Sequence, residues 1–322
     1  MTIYDELPAI YRIKRAQTDV DRIANEFYEA SLDLDPVLAT EHGRTGVETL
    51  FGDYSPAGEE AYAKLVKKTL KKLDKVIPID DTDLVTLDAM QERLTLTRQM
   101  RRAGLGRWQL NNIFSAPQQI RTSFDLMSRE NERDWTHIAG RLANVPGAID
   151  GFIQTLEAAR AEGKVSPRRQ VQIVIEQAEA YIADGGFFDA LAAEITAAAP
   201  AITEQAREGA QAAKDGYRAL IMYLRDTLLP EAPSKDAVGR ELYTLYSRES
   251  LGASIDLDET YAWGVQELER IITEQHTVAS EIEPGASIER AKELLDMDPV
   301  RALQASMDGF TVASLEEATP GA

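Results

Sequence analysis

The chain has 322 residues, a formal net charge of −19 and no cysteine. This composition excludes disulfides, thiolate zinc sites and cysteine nucleophiles, and the acidic balance argues against nucleic acid as a partner. A hydrophobic fraction of 44% is ordinary for a folded protein, and no segment is long and apolar enough to predict a membrane helix or a secretion signal. The cysteine-free composition fits a cytoplasmic protein.

One early helix carries an unusual row of basic residues. Lysines recur at steps of three and four, which places them on one face of a helix: Lys64, Lys67, Lys68, Lys71, Lys72 and Lys75. This row is interpreted as a solvated helix face, with an acidic partner as the alternative. The adjoining Val76–Ile79 stretch is interrupted by proline and is predicted to be a loop between helices.

The middle of the chain shows helical periodicity throughout. An apolar stripe from Ser128 is predicted to end at Pro146-Gly147, where a second helix would begin. Ser166 and Pro167 suggest an N-cap followed by proline at the first helical position. Residues 187–199 predict a short helix that Pro200 stops, and a longer helix is predicted from about Thr203 to Leu229.

The last third repeats the same pattern. Asp256 and Glu259 have the spacing of a capping box, and Pro284-Gly285 would end that helix. Ser287 and then Asp298-Pro299 would each cap a further short helix. Linkers are placed at residues 78–83 and 230–236, but both are short. The sequence therefore predicts an all-α fold with a single large multi-helix domain over residues 1–308, followed by a tail over residues 309–322.

Catalytic motifs are not apparent. The three histidines, His42, His137 and His276, lack the spacing of a helical zinc site, so no metal ligand is assigned. Gly104 and Gly106 lack the third glycine and the preceding strand of a dinucleotide-binding loop. No catalytic residue is assigned from the sequence.

Two predicted helical segments combine glycine with arginine or aromatic residues, a combination that helix formation alone does not require. In the first, Gly239 precedes Arg240, and Tyr243 lies one turn further on. An arginine fork can grip a carboxylate, so this segment is a candidate substrate contact. The second segment contains Tyr261 and Trp263 beside Gly264. The alternative for both is close helix packing through glycine, with a buried Arg–Glu pair.

These segments also carry a family resemblance. Residues 238–271 read VGRELYTLYSRESLGASIDLDETYAWGVQELERI, and residues 282–299 read IEPGASIERAKELLDMDP. Further matching motifs are LDLDPVLATEHG, GDYSP, NNIFSAPQQIRTSFDLM, DWTHIAGRLANVPGAIDGF and GKVSPRRQV. Together they resemble the bacterial domain of unknown function 885 family over roughly residues 20–303.

The resemblance implies the helical N-terminal lobe of a metallopeptidase-like fold. Family members look like zinc-dependent carboxypeptidases whose metal site is a His-Glu-x-x-Pro-Gly-His-His motif, and that motif does not occur here. The chain is therefore interpreted as the N-terminal portion of such a protein, one wall of a peptide cleft and inactive alone. Its partners would be the missing C-terminal catalytic half or a peptide substrate, with zinc held by the full-length protein. Arg240, Tyr243, Tyr261 and Trp263 are the candidate substrate contacts.

Two other interpretations stay open. In the first, the chain is a non-catalytic helical module that binds a specific protein and has a closed core and a polar surface. Alternatively it would be a complete enzyme whose site is unrecognised, in which case it would bind a metal tightly and stoichiometrically. A lobe that lacks its other half should instead expose an apolar face.

Overall fold

The structure is a computed structural model that describes residues 15–296, and every regular element in that range is helical. The all-α prediction is confirmed. The Asp298-Pro299 cap and the 309–322 tail lie outside the described residues. The helices in chain order are α1 (Asp19–Leu34), α2 (Pro36–Glu41), α3 (Pro56–Leu73), α4 (Asp81–Arg102), α5 (Ala116–Thr122), α6 (Glu132–Ala161), α7 (Arg168–Ile182), α8 (Phe187–Ala198), α9 (Thr203–Tyr223), α10 (Leu229–Glu231), α11 (Arg240–Leu251), α12 (Leu257–Ile282) and α13 (Ile288–Asp296).

The helices fall into two compact units that divide between Gly252 and Ala253. In the first unit, α6 to α9 share the larger core, in which Phe152, Phe188 and Tyr217 are fully buried. A second, smaller core lies between α1, α3 and α4, around Val66 and Leu70. The second unit contains α12 and α13.

Helices α6 and α9 approach each other closely because α9 presents small residues to α6. A Cβ added at Gly209 would lie 3.0 Å from Leu142 Cβ, and one added at Gly216 would lie 3.1 Å from Pro146 Cα. Ala213, between the two glycines, is fully buried. The absence of larger side chains at these positions therefore sets the distance between the two helix backbones.

The predicted break at Pro146 is wrong, because α6 runs unbroken from Glu132 to Ala161 with Pro146 inside it. Proline cannot supply the amide that would bond the carbonyl of Leu142. Leu142, Val145 and Ile149 are nevertheless buried on either side of it. Packing of both halves on one continuous core compensates for the missing hydrogen bond, and a local sequence signal cannot report that compensation.

The predicted cap at Ser166 is also wrong. Helix α7 begins at Arg168, with Pro167 in the cap position and no side-chain capping bond. Ser166 is buried and its Oγ accepts a hydrogen bond from the Leu110 amide at 2.9 Å. The hydroxyl thus holds the loop after α4 against the start of α7.

The long helix predicted from Thr203 to Leu229 is present but changes character near its end. Helix α9 ends at Tyr223, and residues Leu224–Leu228 form a π-helical segment before α10. Leu224 and Leu228 are both buried there. Because they are four positions apart, the two side chains lie on the same, core-facing side of this segment.

A buried arginine joins the α2–α3 connection to α6. Arg141 is 1% exposed and donates to Thr40 Oγ1 at 2.8 Å and to the Ser123 carbonyl at 3.4 Å. Its guanidinium lies 5.7 Å from the centre of the Phe51 ring. Burial lowers the pKa of Arg141 to about 10, so the group stays protonated at neutral pH. Its position makes it a structural residue that ties three segments together.

The loop between α3 and α4 is fixed by Asp83. This buried carboxylate accepts hydrogen bonds from Thr18 Oγ1 at 2.7 Å and from the Ile79 amide at 3.1 Å. Arg15 also donates to it at 3.3 Å. Burial opposes ionisation, but these donors together hold the pKa of Asp83 below its ordinary value.

We expect Gly209→Val to destabilise the protein by about 1–3 kcal/mol, because the added carbons overpack the α6–α9 contact. The matched control is Gly147→Ala, at an exposed helical position with no atom within 4 Å of the added carbon. That substitution should stabilise α6 by up to about 1 kcal/mol. Urea unfolding measures both, and equal effects would contradict the close-contact interpretation.

Replacing Asp83 by asparagine should lower the thermal midpoint at neutral pH and flatten its acid dependence. A carboxylate with a depressed folded pKa contributes stability above the unfolded pKa of about 3.9, and that stability is lost as pH falls further. Thermal scans between neutral pH and pH of about 3 compare the two proteins. The interpretation fails if the Asn variant keeps the full acid sensitivity of the parent.

Candidate peptide-contact surface

The first candidate segment lies on α11. Gly239 precedes the helix with φ +86° and no atom lies within 4 Å of a Cβ built there. Its role is therefore the backbone turn into α11, and the close-packing alternative is wrong at this glycine. Arg240 and Tyr243 lie one turn apart on α11, both exposed, with Tyr243 56% exposed.

Helix α11 is held to α4 by contacts that the sequence did not suggest. Arg248 donates to Glu92 through Nε at 2.6 Å and to Gln99 Oε1 through Nη1 at 3.2 Å. Arg93 in turn donates to the Glu249 carbonyl at 2.6 Å. A partly buried Arg–Glu pair exists here between Arg248 and Glu92. These contacts fix the helix that presents Arg240 and Tyr243.

The second candidate segment lies on α12, whose start is well specified. Asp256 accepts hydrogen bonds from the amides of Asp258 and Glu259, at 2.9 and 3.0 Å, and so caps the helix at the predicted start through the Asp256 half of the predicted capping box. The helix ends at Ile282, before Pro284, and Gly285 adopts φ +80°. Both ends of α12 therefore follow from the sequence.

One side of α12 carries an apolar stripe, here called the α12 seam. Its members follow one another at steps of four, three, four, seven and three, which keeps them on one face of a helix. They are Tyr261, Val265, Leu268, Ile272, Ala279 and Ile282. Within the described residues of the second unit, such a face has the pattern of a helix that packs against another helix.

Only the C-terminal part of the α12 seam is covered in the second unit. Helix α13 packs there, and Ala279 and Ala291 are 2% and 5% exposed. Towards the start of the helix the seam is open, with Tyr261 77% and Leu268 58% exposed. Ala279 is the one buried residue of α12. Within the described residues of the second unit, the upstream seam is thus an apolar face without a cover.

Trp263 is 63% exposed but does not belong to the seam. It follows Tyr261 by two positions, which places the two side chains about 200° apart around the helix. Glu267 and Arg270 share its side of α12. The structure therefore does not bring Tyr261 and Trp263 together on one face. Gly264 has no atom within 4 Å of an added Cβ, so close packing does not explain this glycine either.

The three histidines stay apart from any metal-like cluster. His42 Nδ1 lies 2.8 Å from the Tyr28 hydroxyl, and His137 Nδ1 lies 3.9 Å from Glu48 Oε1. His276 lies on α12. Within residues 15–296, no group of three or more histidine, aspartate or glutamate side chains is arranged to hold a metal ion.

A strongly shifted carboxylate outside the candidate segments has a structural explanation. Hydrogen bonds from Arg160 and from the Tyr223 hydroxyl lower the pKa of Glu157 to about 2. The carboxylate therefore stays ionised at neutral pH, which does not suit a general acid. The cluster joins α6 to the end of α9.

Comparison with known proteins places this all-helical chain in a family. Residues 36–318 match the family described as bacterial protein of unknown function (DUF885). The match continues past residue 308, at which the predicted lobe ends. The chain belongs to this family, as its motifs indicated, and no curated protein matches its sequence.

Two solved structures share the fold. A putative lipoprotein from Colwellia psychrerythraea superposes with a TM-score of 0.69 at 14% identity, over 91% of this chain and 58% of its own length. A putative lipoprotein of unknown function from Shewanella oneidensis gives 0.65 at 14% identity, over 94% of this chain and 59% of its own. The chain thus spans somewhat more than half the length of these two proteins. None of the helices within residues 15–296 combines the length and apolar character needed to cross a membrane.

Arg248→Gln should loosen α11 while leaving the rest of the first unit folded. The substitution removes the charge pair with Glu92, and a partly exposed pair contributes about 1 kcal/mol or less to global stability. Hydrogen exchange should therefore rise within residues 240–251 with little change in α6 and α9. Arg270→Gln, which removes an exposed pair with Glu267 on α12, is the control. Unchanged exchange in α11 would show that other contacts hold it.

Proposed function

We propose that the chain is the helical portion of a zinc-dependent, carboxypeptidase-like protein and forms one wall of a peptide-binding cleft. The single observation that carries this proposal is the open upstream part of the α12 seam. In this proposal the seam packs against further polypeptide of the same family, which supplies the metal site. The chain alone would not hydrolyse peptides.

The size and composition of the seam support a permanent cover. Large apolar side chains that are more than a third exposed occur singly on most proteins, but contiguous stripes mark binding surfaces. Tyr261, Val265, Leu268 and Ile272 form such a stripe along three turns of α12. Their spacing suits a helical partner better than a flexible ligand. The solved structures with this fold are longer than this chain, which is consistent with additional polypeptide in the family.

Arg240 is the proposed contact for the peptide carboxylate. A guanidinium fork matches a carboxylate with two parallel hydrogen bonds, and Tyr243 one turn away offers an aromatic face and a hydroxyl. The Arg248–Glu92 pair holds this part of α11 in place. Tyr261 and Trp263 remain proposed peptide contacts. Tyr261 lies at the N-terminal end of the seam and Trp263 on another side of α12, so the two side chains would contact different parts of the peptide or of its surroundings.

The zinc ion of this proposal must be held elsewhere. Within residues 15–296 no ligand set for it is arranged, and the two histidines of the first unit have different partners, His42 with Tyr28 and His137 with Glu48. No chemical step is therefore assigned to this chain. Its contribution would be to bind and orient a peptide next to ligands from the remaining polypeptide.

A helical interaction module is the second candidate function. The α12 seam, and not the polar surface expected for such a module from the sequence, would then bind a specific protein partner, with no peptide substrate and no metal. The location in the cell stays a prediction of cytoplasm, since the two solved relatives carry the name lipoprotein without assigning a location to this chain.

The test begins with the seam. Leu268→Glu should reduce binding of a hydrophobic fluorescent dye and reduce concentration-dependent association, because it places a charge in the open stripe. Gln266→Glu adds the same charge at an exposed position outside the seam and should change neither. A monomeric parent protein that binds no dye would contradict the open-seam interpretation.

The second stage separates the two functions. The chain is mixed with a segment of a longer family member that carries the His-Glu-x-x-Pro-Gly-His-His motif, and hydrolysis of peptides with free or amidated C-termini is followed. Zinc-dependent cleavage of the free-carboxylate peptides, lost with Leu268→Glu and reduced at least about tenfold with Arg240→Gln, is expected from a carboxylate contact worth roughly 1.5–3 kcal/mol. Association without cleavage would favour the interaction module.

A further inference from the structure

The proposed function does not use the row of lysines on and just after α3. The structure shows that this row is exposed and strongly positive. The row consists of Lys64, Lys67, Lys68, Lys71 and Lys72 on α3 and of Lys75 in the turn that follows it, and all but the partly buried Lys72 are exposed. The opposite face of α3 carries Val66 and Leu70, which are buried in the smaller core. The five lysines on α3 therefore lie on the face opposite the core, over a length of about 12 Å.

The positive charge of the lysine row is poorly neutralised by its surroundings. Lys72 pairs with Glu26, which also interacts electrostatically with Lys68. Asp74 is the single acidic residue between the first and the last lysine of the row. The shallow depression along the row is lined by these six lysines alone. A concentrated positive strip thus stands on a chain whose formal net charge is −19.

Exposed apolar side chains directly follow the lysine row. In the loop between α3 and α4, Ile77 is 80% and Ile79 is 75% exposed, and these two residues are here called the isoleucine tip. At the start of α4, Val85 is also 70% exposed. The bond from the Ile79 amide to Asp83 fixes the loop, so the tip is held in place before any partner binds.

We propose that the lysine row and the isoleucine tip form a contact surface for an anionic lipid bilayer. The ammonium groups would lie against the phosphates of the head groups, and the isoleucines would enter the boundary between head groups and acyl chains. Peripheral membrane binding depends on this combination of basic attraction and apolar insertion. The six lysines outnumber the two neighbouring acidic residues, Glu26 and Asp74, and acidic residues farther away than a Debye length of about 8 Å are largely screened.

The shape of this surface favours a bilayer over other polyanions. Nucleic acid binding would call for aromatic side chains among the lysines, and α3 has none between Lys64 and Lys75. A folded acidic protein is best recognised by arginine forks of fixed geometry, whereas the row contains only flexible point charges. The contact is peripheral, so it requires no spanning helix and agrees with the absence of a predicted membrane helix.

The experiment is sedimentation of the full chain with vesicles of equimolar phosphatidylglycerol and phosphatidylcholine, compared with phosphatidylcholine alone. Binding is expected to the anionic vesicles only, and to weaken as salt is raised. Lys67→Gln combined with Lys71→Gln should lower binding about fivefold per lysine, so about 25-fold in total. The matched control, Arg207→Gln with Lys235→Gln, removes the same charge from exposed positions elsewhere and should leave binding unchanged.

A second pair of substitutions tests the isoleucine tip. Ile77→Ser with Ile79→Ser should weaken vesicle binding about tenfold while its salt dependence persists. A lowered thermal midpoint with unchanged vesicle binding would instead show that the tip packs within the chain. Equal binding to both kinds of vesicle, an equal loss in the control pair, or lysine-dependent self-association without vesicle binding would each overturn the proposal. None of these outcomes depends on the α12 seam or on peptidase activity.

Discussion

The close contact between α6 and α9 is the constraint on which the larger core depends. Gly209 and Gly216 leave no side chain between the helices, so Leu142 and Pro146 of α6 lie directly against the α9 backbone. Helices α7 and α8 also pack on α9. A change in the α6–α9 distance would therefore move all four helices at once. Such contacts make packing sensitive to single carbon atoms, since interiors are filled to nearly crystalline density.

Much of the fold follows from local sequence signals. Asp256 and Pro200 marked helix boundaries correctly, because caps and proline act through the backbone of their neighbours. The helix break predicted at Pro146 was wrong because the hydrogen bond lost at proline is compensated by tertiary packing, which involves residues distant in sequence. The prediction of Ser166 as a helix cap was wrong because its hydroxyl accepts a hydrogen bond from the amide of Leu110, a contact between distant positions that no local pattern reveals.

In the candidate surface, too, the sequence indicated exposed residues but not the contacts between distant residues that position them. Sequence reasoning selected Arg240, Tyr243, Tyr261 and Trp263, and the structure places each of them at an exposed position. It could not select Arg248, because the partner Glu92 is separated from it by 156 positions. It also treated Tyr261 and Trp263 as one group, although helix geometry places them on different sides of α12. The open seam became visible only when coverage by α13 was known.

The π-helical segment at Leu224–Leu228 has a consequence for how this protein tolerates changes in length. A π turn contains one residue more than the α-helical geometry around it needs, and such turns are typically single insertions in a helix. Gly216 and Leu220 are buried and precede the segment in the chain. Their positions in the core are therefore set before the π turn begins and do not depend on the direction of the chain after Leu228. A relative lacking one residue here would retain α9 as an uninterrupted α-helix, with the rotation passed on to α10 and the connection beyond. Deletion of one residue within this segment is therefore expected to leave the glycine-lined contact in place.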